Sequence, residues 1–197
     1  MPRRNVQFVQ GSHYHIFNRG AGKSSIFHNN EDYVRVLHLM KKVSKLCQLA
    51  IIAYCLLPNH FHWLVRQDGP APANLLPKRV FGSYVRTFNT RSDREGTLFE
   101  GRFDCRLVNT DEYLRHLCLY IHTNPVRHGI AATPDLWPYS NYLEWIGLRA
   151  GALVDPNVID AQFGGRQQYH LRMLDYLNGI SPLPVALLRE LEAMERQ

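Results

Sequence analysis

Two imidazoles stand two residues apart in Pro58-Asn59-His60-Phe61-His62-Trp63, and a tyrosine precedes an asparagine by four residues in Tyr120-Ile121-His122-Thr123-Asn124-Pro125. Side chains alternate along a strand, so His60 and His62 point the same way, roughly 7 Å apart, close enough to hold one divalent ion. Four residues is about one helical turn, so Asn124 shares a face with Tyr120 and its amide oxygen is a candidate third ligand. An ion so held is a Lewis acid for a phosphate, and the Tyr120 phenol is then the candidate nucleophile. A free phenol ionises near pH ~10, so a metal or an arginine must favour the phenolate as it attacks. A phosphotyrosine bond conserves phosphodiester energy and lets a cut strand be rejoined without a nucleotide cofactor. Mixed nitrogen and oxygen donors admit several metals, and a phosphoryl substrate favours magnesium or manganese over zinc.

Each part also has a plainer reading. A His-aromatic-His segment is commonly structural, most of the ten tyrosines must simply pack, and an asparagine before proline is a common helix terminator. His13, His15, His116, His122 and His128 read as phosphate-facing or surface residues, not ligands. Phe17, Tyr84, Phe99 and Phe103 are candidates to stack on unpaired bases, although aromatics interleaved with arginines also occur in any packed basic protein. Two functional alternatives stand beside a tyrosine nucleophile. One is a hairpin-binding module that does not cut, and the other is a zinc hydrolase with water as nucleophile.

Elements that position these residues follow from periodicity. His13 to Gly20 alternates as a first strand, and Asn30 to Cys47 carries Tyr33, Val36, Met40 and Val43 at helical spacing. Gly20 to Ser25 has the wrong spacing for a P-loop. Leu49 to Leu57 and His60 to Arg66 read as strands around a Pro58-Asn59 turn, with Phe61, Trp63 and Val65 opposite the histidines. Gln67 to Pro77 reads as a linker, Lys78 to Arg91 as a second helix, and Phe103 to Val108 as a further strand. Arg94, Arg102 and Arg106 give that last region a basic lining, and Arg102 and Arg106 are expected to contact phosphate. Thr110-Asp111-Glu112 starts a helix whose apolar stripe is Leu114, Leu117, Cys118 and Ile121. Tyr120 and Asn124 fall on the adjacent stripe, from which both are expected to reach outward, and Pro125 is expected to end the helix. The order β-α-β-β-α-β fits an α+β, ferredoxin-like antiparallel sheet with an added helix carrying the tyrosine. Helical segments are expected around Gln167 to Leu177 and Val185 to Glu195, and the tail shows no chemical motif.

The 197 residues suit one domain, read as residues 1–145, with a mostly helical extension at 146–197. No apolar run approaches a bilayer span, and Met1 to Asn5 opens no secretory signal, so a soluble, cytoplasmic protein without a membrane partner is expected. The four scattered cysteines suit neither a zinc ribbon nor a disulfide scaffold. A net charge of +6, with arginines outnumbering lysines, leans toward a polyanionic partner.

Asn18-Arg19-Gly20, Ala53-Tyr54, Leu57-Pro58-Asn59-His60-Phe61-His62, Gly101-Arg102-Phe103, Tyr120-Ile121, Asn124-Pro125-Val126-Arg127 and Trp137-Pro138-Tyr139-Ser140 occur in one order. That order resembles the single-tyrosine HUH transposases of bacterial insertion sequences, and most closely their REP-associated tyrosine transposase group. The resemblance runs from about His13 to Trp145. It implies a ferredoxin-like nuclease that cuts single-stranded DNA near hairpins, with the divalent ion on His60, His62 and Asn124. Tyr120 would take the 5′-phosphate and leave a free 3′-hydroxyl, while Arg19, Arg102, Arg106 and Arg127 would contact DNA. Monomer and homodimer both remain open.

Overall fold

The computed structural model describes residues 6–196, with side chains through Ala193, so the reading of Met1 to Asn5 lies outside the described residues. Four antiparallel strands, β1 (His13–Arg19), β2 (Leu49–Leu57), β3 (His60–Gln67) and β4 (Asp104–Val108), lie in the order β2-β3-β1-β4. Helices α1 (Asn30–Cys47) and α2 (Leu75–Arg91) cover one sheet face, and α3 (Asp111–Arg127) lies against β2 and β3 on the other. A short α4 (Tyr142–Trp145) leads to α5 (Pro156–Phe163), α6 (Arg166–Leu177) and α7 (Val185–Arg196). This is the expected α+β, ferredoxin-like arrangement with the tyrosine on an added helix.

Burial on both faces explains why β2 is almost wholly apolar. Tyr14, Ile16, Tyr54, Leu56, Phe61, Trp63 and Val65 enter the core beneath α1 and α2. Phe17, Ala53, Cys55, Leu57 and Leu64 enter the second core with Leu117, Cys118, Tyr120 and Ile121 of α3. Register shifts between Ile51 and Ala53, which places Ile52 on the α3 side, as a bulge does. The buried carbonyl of that bulge does not go unpaired. Ile52 O accepts from Asn141 Nδ2 at 2.8 Å and from Trp145 Nε1 at 2.9 Å.

Two of the three long helices that frame the sheet, α1 and α3, begin on side-chain caps, and α2 does not. Asn29 Oδ1 accepts from Asp32 N in α1, and Thr110 Oγ1 accepts from Tyr113 N in α3. Two expected boundaries move. The stretch read as a linker to Pro77 is already helical from Leu75, because Pro77 occupies the first turn, where a missing N–H costs nothing. Pro125 does not end α3, which runs to Arg127. Its ring removes one hydrogen bond, but Asn124 and Pro125 are both buried and the turn closes through His128 N to Asn124 O at 3.0 Å. Gly129, at φ +65°, reverses the chain.

The C-terminal helices join the second core through Trp145, Ile159, Phe163, Tyr169, Met173 and Leu191. Their polar anchor is His122, expected to face phosphate or solvent and in fact fully buried. His122 Nε2 donates to Asn141 Oδ1 at 2.8 Å, and Tyr169 donates its hydroxyl proton to Nδ1 at 2.6 Å. Asn141 spends the rest of its amide on Tyr54 N and Leu153 O, so β2, α3 and the extension meet at one satisfied side chain. All four cysteines are buried and free, and no helix among the described residues is long and apolar enough to cross a membrane.

Burial depresses the His122 pKa to about 4. The unfolded chain therefore binds a proton that the folded chain refuses between its unfolded value, about 6.5, and about 4. Stability should accordingly fall as pH drops through that window, by on the order of 3 kcal/mol from this group. Thermal melts at pH 7 and pH 5 should show the loss, and His122→Gln should flatten the dependence while lowering stability at pH 7.

Candidate active site

The hairpin between β2 and β3 sets the centre of the site. In the register of β1 with β3, Phe17 faces His62 and Arg19 faces His60, so these side chains project from the same sheet face. His60 and His62 are 7% and 1% exposed, with ring centres 5.4 Å apart and planes nearly perpendicular. Each ring is held through Nδ1. His60 Nδ1 lies 2.7 Å from Asn59 Oδ1, and His62 Nδ1 lies 3.0 Å from His15 Nε2. Nε2 is the remaining nitrogen of both rings.

His15 was expected to face phosphate or solvent, but it is wholly buried and its ring stacks on His62 at 5.2 Å. The signal was present in the parity of β1, because His15 alternates in step with Phe17 and Arg19, which border β3. His128 is exposed at the pocket, as a phosphate-facing or surface residue would be, and its ring stands 4.7 Å from that of His60.

Helix α3 brings Tyr120 edge-on to His62, with ring centres 5.6 Å apart at 89°. Tyr120 and Asn124 do not reach outward, since both are fully buried. The stripe assigned as lateral is turned inward, with Tyr120 against His62 of β3, while α5 and α6 also pack on the helix. Asn124 Nδ2 donates to Tyr120 O at 2.8 Å, while its buried Oδ1 has no hydrogen-bond partner. The Arg127 guanidinium carbon lies 4.8 Å from the centre of the Tyr120 ring.

The two histidines open into a pocket of about 520 Å³ whose wall also includes Arg19, Arg102, Arg127 and Glu192, with Tyr120 and Asn124 buried behind it. Arg106 stands outside that wall, and Arg94 bonds Thr97 O in its own loop. The lining is less cationic than arginine content suggests. Arg19 pairs with Glu100 at 2.9 Å, Arg106 with Glu190 at 2.8 Å and Arg127 with Glu192 at 3.0 Å. Burial acts to lower the Arg127 pKa, but Tyr120, Tyr176 and Glu192 outweigh it and the net shift is upward. The tail, without a chemical motif in sequence, thus sets two acids of α7 against the basic surface. Among the described residues no group of three His, Cys, Asp or Glu side chains could hold a metal, so the two imidazoles would need a different third donor.

The pattern of the family described as "Transposase IS200 like" matches residues 8–124, more than half of the chain. The chain belongs to that family. A putative REP-associated tyrosine transposase of Haemophilus influenzae is 32% identical to this IS200-like chain over 101 residues. That match covers 46% of the present chain and 57% of the relative, so it spans little more than half of the relative's length. The solved structure of a REP-associated tyrosine transposase bound to a REP hairpin shares the fold, with a TM-score of 0.64 at 20% identity over 79% of this chain and 94% of that one.

The Arg106–Glu190 pair is exposed and the Arg127–Glu192 pair half-buried, so Glu190→Gln should cost less than about 1 kcal/mol in a denaturant melt and the double substitution with Glu192→Gln somewhat more. The same double substitution leaves Arg106 and Arg127 without carboxylate competitors. It should tighten binding of a hairpin oligonucleotide by about tenfold at low salt, an effect that shrinks as salt rises.

Proposed function

We propose that this IS200-like transposase is a metal-dependent DNA strand transferase acting on hairpin DNA with single-stranded flanks. The observation that carries the proposal is that His60 and His62 line the arginine-walled pocket while the Tyr120 ring stands edge-on to His62, buried directly behind that wall. The name of the Haemophilus relative and the hairpin held by the structural relative support repeated palindromes as the substrate class. We assign the chemistry to residues 1–145 and covering and charge control to residues 146–197, in a cytoplasmic protein that acts as a monomer or homodimer.

The donor set fits a divalent ion. Nδ1 of each histidine is engaged, Nε2 of each remains for coordination, and the buried Asn124 Oδ1 lacks a partner. A bound magnesium or manganese ion would polarise the scissile phosphate and stabilise its charge. The protein supplies the rest. Arg127 lies against the Tyr120 ring and favours the phenolate. The Tyr120 oxygen forms a bond to phosphorus as the bond to the 3′ oxygen breaks, the phenolic proton passes to solvent, and the departing 3′ oxygen takes up a proton. Attack by a 3′-hydroxyl on the phosphotyrosine runs the sequence backward and rejoins DNA. Arg19 and Arg102 border the pocket and are placed to hold the flanking phosphates.

His15 acts through His62. Coordination by Nε2 requires the His62 proton on Nδ1, and His15 Nε2, 3.0 Å away, would accept it there. Calorimetric titration of manganese should show a loss of about 10- to 100-fold in affinity for His15→Phe, with partial recovery in His15→Gln. Equal affinity in all three proteins would remove His15 from this role.

Incubated with manganese and a flanked hairpin, the protein should form a covalent adduct that is absent in Tyr120→Phe and strongly reduced in His60→Ala. Tight binding without any adduct, unchanged by Tyr120→Phe, would favour a module that holds hairpins without cutting.

A further inference from the structure

A second groove leaves the pocket along α2. Its floor is Phe81, Val85, Phe99 and Phe103, and the cations Lys78, Arg86 and Arg102 stand on its rim. Asn18, Gly101 and Arg102 belong to both cavities, so a chain crossing the pocket wall at Arg102 passes directly into the groove. No carboxylate is among its described lining residues. Gly82 and Gly101 face open space, since a Cβ at either would meet nothing within 4 Å.

Four aromatics were candidates for base stacking, and the fold separates them. Phe17 and Tyr84 are buried in the cores, and the Tyr84 hydroxyl donates to Ile26 O at 2.5 Å. Phe99 and Phe103 are half-buried on the groove. Phe99 meets Phe81 at 74° and Phe61 at 83°, so no core ring stacks on it.

We propose that this groove is a stacking subsite for an unpaired base of the DNA strand, next to the reacting phosphate. The inference rests on the DNA reading above. An apolar floor edged by three cations and by no described carboxylate suits a ligand with flat apolar faces and a polyanionic backbone. Stacking on phenylalanine tolerates any base, whereas Arg86 and Lys78 are spaced along α2 to follow phosphates beyond Arg102. The strand flanking a hairpin has that chemistry and is continuous with the reaction pocket. A double-stranded stem offers no free base face.

The test uses full-length Tyr120→Phe protein without divalent metal, so that binding is read without cleavage. Hairpins carrying 2-aminopurine at each position of the single-stranded flank are compared with a blunt hairpin. One or two positions should lose fluorescence on binding, and Phe99→Ala or Phe103→Ala should restore it. Each substitution should weaken the flanked hairpin by about tenfold and leave the blunt hairpin unchanged, while Phe99→Trp retains both signals. Circular dichroism checks that Phe99→Ala, which loses its contact with Phe81, remains folded, and Phe103→Ala provides an independent second variant. Binding with no fluorescence change, or equal weakening of blunt and flanked hairpins, overturns the subsite and leaves the DNA reading standing. Binding to neither hairpin overturns both. Conversion of a dimer to a monomer by Phe99→Ala would make the groove a contact between copies and would also overturn the proposal.

Discussion

A strand buried on both faces can carry an imidazole only if that ring finds a polar partner, because an unpaired buried polar group costs about 1–3 kcal/mol. This constraint governs β3. Phe61, Trp63 and Val65 commit one face to the core beneath α1 and α2, which fixes the register and sends His60 and His62 to the other. Asn59 and His15 then meet the polar demand on Nδ1 of each ring. The chemistry of the corner is a consequence of satisfying the core. Loss of His15 would leave the fold largely intact but free the His62 ring to turn.

Helix α3 is subject to the same constraint from the opposite side. Tyr120 and Asn124 are buried, with the Asn124 amide hydrogen bonded to the backbone of the preceding turn and its oxygen left over. A buried acceptor without a donor is costly in a resting protein and useful where a cation is to be bound. The extension completes the balance. Asn141 and His122 tie it to the sheet, and α7 places Glu190 and Glu192 against Arg106 and Arg127. The pocket wall is therefore basic in composition but partly neutralised in structure, and on the proposed reading DNA would have to displace those carboxylates.

Much of this was legible in the sequence. The alternation of β3, the apolar run of β2 and the capped starts of α1 and α3 are local signals, and the strands and helices follow them closely. His60, His62 and Tyr120 were legible as a set because their motifs occur in the family's order. What escaped depends on partners distant in sequence. His15 looks like a surface residue until β1 pairs with β3, and His122 looks like one until Tyr169 and Asn141 arrive from the extension. Pro125 reads as a terminator because its local preference ignores the packing that carries α3 on to Arg127. Glu190 and Glu192 sit in an ordinary amphipathic helix, whose pattern says nothing of the arginines it will meet.

The central claim is that the nucleophile is the Tyr120 hydroxyl and not water. Tandem mass spectrometry of the protein after reaction with a flanked hairpin and manganese, digested with trypsin, tests it most directly. The account predicts a nucleotide 5′-phosphate on the peptide His116 to Arg127, attached at Tyr120. Cleaved DNA accumulating with no linked peptide, or a nucleotide attached to another residue, would contradict it.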